Sequence, residues 1–160
     1  MAASSHREIE RKFLVRHDGW RAQVVGEPVV MRAGYVSRRK EASIRVRFEG
    51  EAAILTLKGQ AIDPDGRERP EFNIPIPADQ GAAILESGMV DGGVIRKTRY
   101  RVQVGESLFE VDEFEHPRAG LVLAEIELRS ADADFERPDW LGEEVTADGR
   151  YSNAMIAGEA

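Results

Sequence analysis

Charged residues two positions apart, alternating with apolar residues, are the sequence feature that most restricts how this chain can fold. Read with a period of two, residues 7–15 (REIERKFLV) place Glu8, Glu10 and Lys12 on one face and apolar residues such as Phe13 on the other. That alternation predicts a β-strand. Two carboxylates and an ammonium group are common on a strand face that meets water and unusual on one that is buried, so the position of this face is decisive.

The same alternation predicts seven further strands, at residues 29–39, 43–48, 53–58, 67–76, 94–104, 108–114 and 121–129. Helical patterns are fewer: a short helix beginning near Asp18, a helix at 78–89, and two short pieces in the tail at 131–160. We therefore predict a mainly β, α+β fold, in which about eight antiparallel strands with short connections form one sheet or barrel.

Composition narrows the class of protein. The 160 residues fit a single domain, 1–160, and the net charge of −7 argues against nucleic acid or an anionic membrane as a partner. The chain has no cysteine, which excludes disulfides and thiolate metal sites, and its three histidines lack the spacing of a metal motif. No segment has the pattern of a signal peptide or a membrane span, so we expect a cytoplasmic protein.

The signs of the charged pairs differ from strand to strand. Acidic pairs fall on the first, seventh and eighth predicted strands, and basic pairs on the third, fourth and sixth. On the solvated face of an open sheet, these pairs need have no function. If the sheet closes, the first and last strands become neighbours, so the acidic residues would share one wall and the basic residues would face them.

Each wall would have its own chemistry. Crowded carboxylates repel one another and require a cation, and oxygen ligands without Cys or His favour Mg²⁺ or Mn²⁺. Arginine offers phosphate a bidentate fork and lysine a point charge. Since the sequence lacks a glycine-rich phosphate loop, side chains would have to hold any phosphate group.

A series of short motifs resembles the CYTH superfamily, the triphosphate tunnel metalloenzymes. The resemblance begins with EIERKFLV at 8–15 and continues, in the family's order, with RVR at 45–47, TLK at 56–58, RPE at 69–71, KTRY at 97–100, EVD at 110–112 and EIE at 125–127. GEEVT at 142–146 and RYSN at 150–153 are similar to its C-terminal segment. The match covers nearly the whole chain, and the ordered series is far more specific than the first motif alone.

The resemblance implies an eight-stranded antiparallel β-barrel, a tunnel that binds a triphosphate along its axis and needs Mg²⁺ or Mn²⁺. Phosphate oxygens would be held by Lys12, Arg45, Arg47, Lys58, Arg69, Lys97 and Arg99. Metal or the attacking water would be held by Glu8, Glu10, Asp112, Glu125 and Glu127. Glu71 could join them or pair with Arg69. Several relatives carry a basic residue in the C-terminal helix, where this chain has Ser152 and Asn153.

The expected activity is hydrolysis of inorganic triphosphate to pyrophosphate and phosphate. The water proton would pass to Lys97, whose pKa neighbouring Arg99 would lower, or to a metal-held water near Glu125 or Glu127. Tyr35 either lines the tunnel or packs with its hydroxyl at the surface. Only 7% of the residues are aromatic, which favours bare polyphosphate over a substrate with a base to stack.

Three alternatives remain open at the level of sequence. Thiamine triphosphatase and class IV adenylate cyclase activities also occur in the family that the chain resembles. A binding module could hold nucleotide or polyphosphate without turnover, and a scaffold protein could carry the charged pairs on a solvated sheet face. A homodimer is possible, because exposed sheet edges need cover.

Overall fold

The computed structural model describes residues 7–159, with side chains from residue 9 onward. Nine strands are present in this part of the chain: β1 (Arg7–Val15), β2 (Val29–Arg39), β3 (Ala42–Glu49), β4 (Ala52–Gly59), β5 (Glu68–Ile76), β6 (Ile95–Val104), β7 (Ser107–His116), β8 (Val122–Glu127) and β9 (Leu141–Glu144). The first eight correspond to the eight strands predicted from alternating polarity.

The helices are short. A 3₁₀ helix at Asp18–Gln23 precedes β2, and α1 (Ala78–Glu86) connects β5 to β6. A second 3₁₀ helix at Gly149–Tyr151 and α2 (Asn153–Ala157) follow β9. Within residues 7–159, none of the helices has the length and apolar character needed to cross a membrane.

Eight of the strands close into an antiparallel barrel. Their hydrogen-bonded order is β5-β4-β3-β2-β6-β7-β8-β1, and β1 returns to β5 with Glu8 opposite Arg69. β9 pairs with the later part of β1, opposite Phe13 and Val15. The predicted eight-stranded antiparallel barrel is confirmed, with β9 as an addition to it. Because closure pairs the two edge strands with each other, opposite faces of the wall become an interior and an exterior.

The larger apolar core lies on the outside of the barrel wall. Phe13 of β1, Val102 of β6 and Phe109 of β7 are covered there by Trp20 from the first 3₁₀ helix and by Trp140 from the segment before β9. The rings of Phe109 and Trp140 meet edge to face, with centroids 5.3 Å apart. Since side chains alternate along a strand, an apolar exterior turns the charged residues of the same strands inward.

A second apolar cluster fills one end of the barrel. Inward-facing side chains of β2, β6, β7 and β8 meet two fully buried residues of α2 at this end. We call the cluster the seal, and its members are Tyr35, Ile95, Phe114, Leu123, Val145, Ile156 and Ala157. The seal separates the charged interior from solvent at the end where β2 finishes and β6 begins.

The tail differs from the prediction of two helical pieces. Residues 131–140 are not helical, and Leu141–Glu144 form β9 instead. Pro138 has no N–H to donate within a helix, and the later part of β1 offers an unpaired edge. Gly142 allows the two backbones to approach, since a Cβ there would lie 2.8 Å from the carbonyl oxygen of Leu14. The prediction was wrong for residues 131–144, because helical propensity does not account for a free strand edge, whereas short helices are present later in the tail at Gly149–Tyr151 and Asn153–Ala157.

Candidate active site

Cationic side chains converge inside the barrel beside the seal. Arg45 and Arg47 of β3 and Lys97 and Arg99 of β6 lie on either side of β2, and Asn153 of α2 reaches the same space. That space is partly open to solvent, and its apolar lining consists of Met31, Ala33 and Ile95. The structure therefore brings together four of the predicted phosphate ligands.

A cluster of ion pairs joins β6 to β7. Lys97 Nζ donates to Asp112 Oδ2 at 2.6 Å, and Arg99 donates from Nε to Oδ1 at 2.7 Å and from Nη2 to Oδ2 at 2.9 Å. Arg99 Nη1 also donates to Glu110 Oε2 at 2.9 Å. Asp112 is 2% exposed and Lys97 is 4% exposed. The register causes this arrangement, since Arg99 lies directly opposite Asp112 in the β6–β7 pair.

Burial and neighbouring charge oppose each other within this cluster. Burial alone would raise the pKa of Asp112, but Lys97 and Arg99 outweigh it and hold that pKa well below its ordinary value. Burial lowers the pKa of Lys97, and Arg99 lowers it further, although Asp112 and Glu125 act in the opposite direction. Asp112 is therefore a firmly ionised carboxylate, and the proton of Lys97 is held less tightly than that of a free lysine.

Arg45 is buried and Arg47 is half-buried, and each has part of its hydrogen-bonding capacity unused. Within the described residues, the Nε atoms of both have no hydrogen-bond partner. Burial would lower the pKa of Arg45, but Tyr35 and Glu71 raise it above its ordinary value, so this guanidinium keeps its charge. Arg47 Nη2 pairs with Glu49 at 3.0 Å. Because an unmet buried donor is costly, these groups are suited to a ligand rich in oxygen atoms.

Lys12 lies between an acidic residue and the C-terminal segment. Its Nζ is 3.5 Å from Glu125 Oε1 and donates to the backbone carbonyl of Tyr151 at 3.0 Å. Its backbone N–H donates to Thr146 Oγ1 at 3.0 Å. The residue after β9 and the second 3₁₀ helix thus fix the position of this predicted phosphate ligand.

Carboxylates crowd the interior near the junction of β1 and β5. Lys58 Nζ lies 3.5 Å from Glu71 Oε2 and 4.0 Å from Glu10 Oε1. Burial raises the pKa of Glu127, and the negative charges of Glu71 and Glu10 raise it further, while Lys58 opposes them. These acidic residues repel one another and would gain from a bound cation.

The predicted division into an acidic wall and a basic wall agrees with the strand order: β7, β8 and β1, which carry the acidic pairs, are neighbours, and β4, β3 and β6, which carry the basic residues, lie together with β2 between β3 and β6. Two contacts between opposite charges depart from it. β6 pairs with β7, so the basic residues Lys97 and Arg99 lie beside Asp112 and not across the barrel from it. Lys12 likewise lies beside Glu125, its partner in the β1–β8 register. The prediction did not include these contacts, which arise because the two walls meet where β6 pairs with β7 and because β1 carries Lys12 as well as its acidic residues.

Three further predicted residues have distinct positions. Arg69 pairs with Glu8 where the barrel closes, and the side chain of Glu8 lies outside the described residues. Tyr35 belongs to the seal and is 5% exposed, so its ring is buried and does not lie at the surface. Glu71 interacts with Lys58 and accepts a hydrogen bond from Asn73 at 2.8 Å.

Sequence reasoning missed three polar residues of the site, which are Thr56, Asn73 and Asn153. Thr56 is 1% exposed and donates to Asn73 Oδ1 at 2.8 Å. Both residues share a strand face with a predicted ligand, Lys58 or Glu71, so the alternation could have identified them. Asn153 Oδ1 accepts a hydrogen bond from Lys97 Nζ at 3.2 Å. No sequence signal identifies Asn153 as an interior residue, because it lies on a helix of five residues.

Comparison with known proteins assigns this barrel to a family. Residues 6–154 match the model of the CYTH domain. The chain belongs to the CYTH family. The inorganic triphosphatase of Acetivibrio thermocellus is 41% identical over 150 residues, which cover 94% of this chain and 92% of the relative. That of Nitrosomonas europaea is 36% identical over 156 residues, which cover 94% and 96%.

A solved structure supports the same assignment. The crystal structure of the inorganic triphosphatase NE1496 is similar to this CYTH protein with a TM-score of 0.64 and 35% sequence identity, and the match covers 94% of each chain. The charged motifs of the CYTH protein described here lie on the strands that form the barrel wall, with Arg45, Lys97 and Arg99 lining its interior.

Proposed function

We propose that this protein hydrolyses inorganic triphosphate to pyrophosphate and phosphate. The observation that carries the proposal is the pair of arginines Arg45 and Arg47, whose buried Nε atoms have no hydrogen-bond partner among the described residues in a charged interior. A linear polyanion with oxygen atoms on every phosphorus can satisfy several such donors at once. The name of the 41% identical relative, inorganic triphosphatase, agrees with this substrate.

Cationic side chains from five strands form the proposed phosphate site. They are Lys12, Arg45, Arg47, Lys58, Arg69, Lys97 and Arg99. Arg99 can exchange Glu110, whose side chain is 42% exposed, for phosphate while it keeps its bonds to buried Asp112. Such side chains would neutralise the charge that develops on the transferred phosphoryl group.

The donor set fits a divalent cation bound through oxygen atoms, and we propose Mg²⁺ or Mn²⁺. Burial raises the pKa of Glu110, and Glu125, Asp112 and Glu10 add to that rise against the opposing effect of Arg99. Such mutual repulsion favours cation binding. Among the side chains that the structure describes, however, no group of three acidic residues is already arranged to hold a metal ion.

The proposed metal ligands are Glu8, Glu10, Asp112, Glu125 and Glu127. Asp112 would have to share its oxygens with Lys97 and Arg99, and the side chain of Glu8 lies outside the described residues. When bound, the cation would shield the phosphate charge and make a water molecule more acidic. The residues of the chain would orient the phosphates and accept the water proton.

We propose Lys97 or the pair Glu125 and Glu127 as the acceptor of that proton. Lys97 is supported by the burial that lowers its pKa, which makes loss of its own proton easier. Glu127 is supported by the raised pKa that burial and its acidic neighbours cause, which makes it a stronger base than a free carboxylate. Tyr35 would assist by holding Arg45 charged and in place.

A substrate panel tests the proposal. Phosphate release from tripolyphosphate, ATP and thiamine triphosphate is measured side by side with Mg²⁺, with Mn²⁺ and with EDTA. We expect tripolyphosphate to be turned over fastest and EDTA to abolish release. Faster turnover of either organic substrate would replace the proposed substrate, and tight binding of tripolyphosphate without turnover would identify a binding module.

A further inference from the structure

Strand β1 changes its pairing partner at Lys12. Residues 7–9 pair with β5, and the backbone N–H of Glu10 donates to the carbonyl of Arg67 at 2.9 Å. From Phe13 onward, β1 pairs with β9. Lys12 lies between these two pairings, and its backbone N–H and C=O still require hydrogen-bond partners. Those partners must come from residues next to the two ladders.

The two residues that follow β9 supply these hydrogen bonds. The backbone N–H of Val145 donates to the carbonyl of Lys12 at 2.8 Å, and the backbone N–H of Lys12 donates to Thr146 Oγ1 at 3.0 Å. Thr146 Oγ1 in turn donates to Glu144 Oε2 at 2.7 Å. Because a hydroxyl has one hydrogen and an ionised carboxylate only accepts, the hydroxyl hydrogen points at Glu144 and a lone pair points at Lys12.

Two arginines hold Glu144 in place. Arg11 of β1 donates from Nη2 to Glu144 Oε1 at 2.6 Å and from Nε to Oε2 at 3.0 Å. Arg67, the residue before β5, donates from Nη2 to Oε1 at 2.9 Å. The guanidinium of Arg11 also lies over the ring of Phe13, in the apolar core outside the barrel wall. We call this group of four side chains the outer clamp, and its members are Arg11, Arg67, Glu144 and Thr146.

The ammonium group of Lys12 lies on the other side of the wall. Its Nζ is 3.5 Å from Glu125 Oε1 and donates to the carbonyl of Tyr151 at 3.0 Å. The outer clamp thus holds the backbone of Lys12, while the side chain extends into the interior. Because hydrogen bonds to phosphate depend on distance, a backbone displacement of about 1 Å would misplace the ammonium group for binding.

We propose that the outer clamp positions Lys12 for substrate binding from outside the barrel, with Thr146 and Glu144 as positioning residues that do not touch the substrate. The inference rests on the proposed function and deepens it, because it concerns the affinity of the same site. Arg11 and Arg67 then have a role different from that of the interior arginines. They bind a carboxylate of the chain, and the interior arginines bind phosphate.

Calorimetry with tripolyphosphate in the absence of metal tests the proposal separately from catalysis. Thr146→Val removes the hydroxyl and keeps a side chain of similar shape, and we expect the Kd to rise about fivefold. Thr146→Ser retains the hydroxyl and should bind like the native protein. Val104→Ala, in the core outside the wall, controls for lost stability and should leave the Kd unchanged. An unchanged Kd for Thr146→Val, or an equal rise for Val104→Ala, would overturn the proposal.

A double-mutant cycle shows whether the effect of Thr146 passes through Lys12. Lys12→Ala alone should weaken tripolyphosphate binding about tenfold, because a charged donor to phosphate is lost. Adding Thr146→Val to Lys12→Ala should not change the Kd further, since no ammonium group is left to position. Losses that add independently would contradict the positioning role.

Failure of this inference and failure of the proposed function give different results. If tripolyphosphate is hydrolysed but Thr146 and Lys12 show no coupling, this inference fails and the proposed function stands. If tripolyphosphate binds with that coupling but is not hydrolysed, the proposed function fails and this inference stands. Under turnover, Thr146→Val should raise the KM about fivefold and change kcat less. A fall in kcat at unchanged KM would count against the outer clamp as a positioning device.

Discussion

The cationic side chains on two sides of the charged interior differ in their hydrogen-bond partners. On β6 and β7, Lys97 and Arg99 both donate to Asp112, at distances between 2.6 and 2.9 Å. On β3, the Nε atoms of Arg45 and Arg47 are buried without a hydrogen-bond partner in the described chain. The cations of the first side have a carboxylate partner, whereas the Nε donors of the second side have no hydrogen-bond partner among the described residues.

This difference distinguishes charged groups that stabilise the fold from charged groups that are available to bind a ligand. A buried ion pair holds its geometry, and removing one partner leaves the other uncompensated in a poorly solvated place. A buried cation with unused donors destabilises the fold slightly and is available to an incoming anion. Substitution of Asp112 on β7 should therefore lower stability as well as activity, whereas substitutions on β3 should act mainly on activity.

The largest effect is expected for Arg45→Ala. The substitution removes a charged guanidinium group that is already positioned to hydrogen-bond phosphate. It should lower kcat/KM for tripolyphosphate by roughly a hundredfold to a thousandfold. The free energy of unfolding should stay constant or rise, because a buried charge is removed. Steady-state kinetics and urea unfolding measure both quantities. Arg39→Ala, at a side chain that is 77% exposed, is the control and should change neither.

Asp112→Asn should destabilise the protein, in contrast to Arg45→Ala. Lys97 and Arg99 would lose their shared carboxylate, so the free energy of unfolding should fall by about 3 kcal/mol. Glu110→Gln removes a more exposed partner of Arg99 and should cost less than about 1 kcal/mol. Urea unfolding of both variants provides the comparison. Equal losses would mean that the buried cluster does not have the structural role assigned to it.

Glu144 extends the comparison to the outside of the barrel. Burial alone would raise its pKa, but hydrogen bonds from Arg11, Arg67 and Thr146 lower it to about 2. Because this pKa is depressed in the folded state, the stabilisation is complete above the ordinary value of 4.5 and is lost as the pH falls towards 2.

Glu144→Gln should therefore lower the free energy of unfolding at pH 7 by about 2 kcal/mol, after allowance for partial exposure. The difference from the native protein should shrink between pH 4.5 and pH 2. Urea unfolding over this pH range measures it, and the exposed neighbour Glu143→Gln serves as the control. A difference that does not depend on pH would contradict the electrostatic explanation.

The smallest effect is expected for Tyr35→Phe. Tyr35 helps to keep Arg45 charged, and loss of its hydroxyl should lower kcat/KM about fivefold while the ring still fills the seal. Tyr100→Phe, in the core outside the barrel wall, should leave kcat/KM unchanged. A loss of Tm without a loss of kcat/KM would give Tyr35 a packing role alone.

The fold could be predicted because its signal is local and repeated. Alternation in stretches such as 7–15 and 43–48 identifies both the strands and the face that carries charge. The tail could not be predicted in the same way, since β9 forms only because β1 offers it an edge. The register of β6 and β7, which places Arg99 opposite Asp112, is also a property of the pairing and not of either strand.

The composition of the candidate site and its acidic and basic walls could be predicted, but its individual ion pairs could not. Alternation along each strand identifies Lys12, Lys58 and Lys97 as residues of the charged face. It does not show which acidic residue each of them will contact. Asn153 enters the interior from α2, and no periodic pattern marks a residue on so short a helix. The metal ligands, the homodimer and the cytoplasmic location stay predictions.

The central claim is that the interior beside Arg45 binds the triphosphate. A crystal structure of the protein with tripolyphosphate and Mg²⁺ tests it most directly. We predict phosphate oxygens inside the barrel, within hydrogen-bonding distance of Arg45 Nε. Triphosphate bound on the outer surface, with Arg45 Nε still unpaired, would contradict the account.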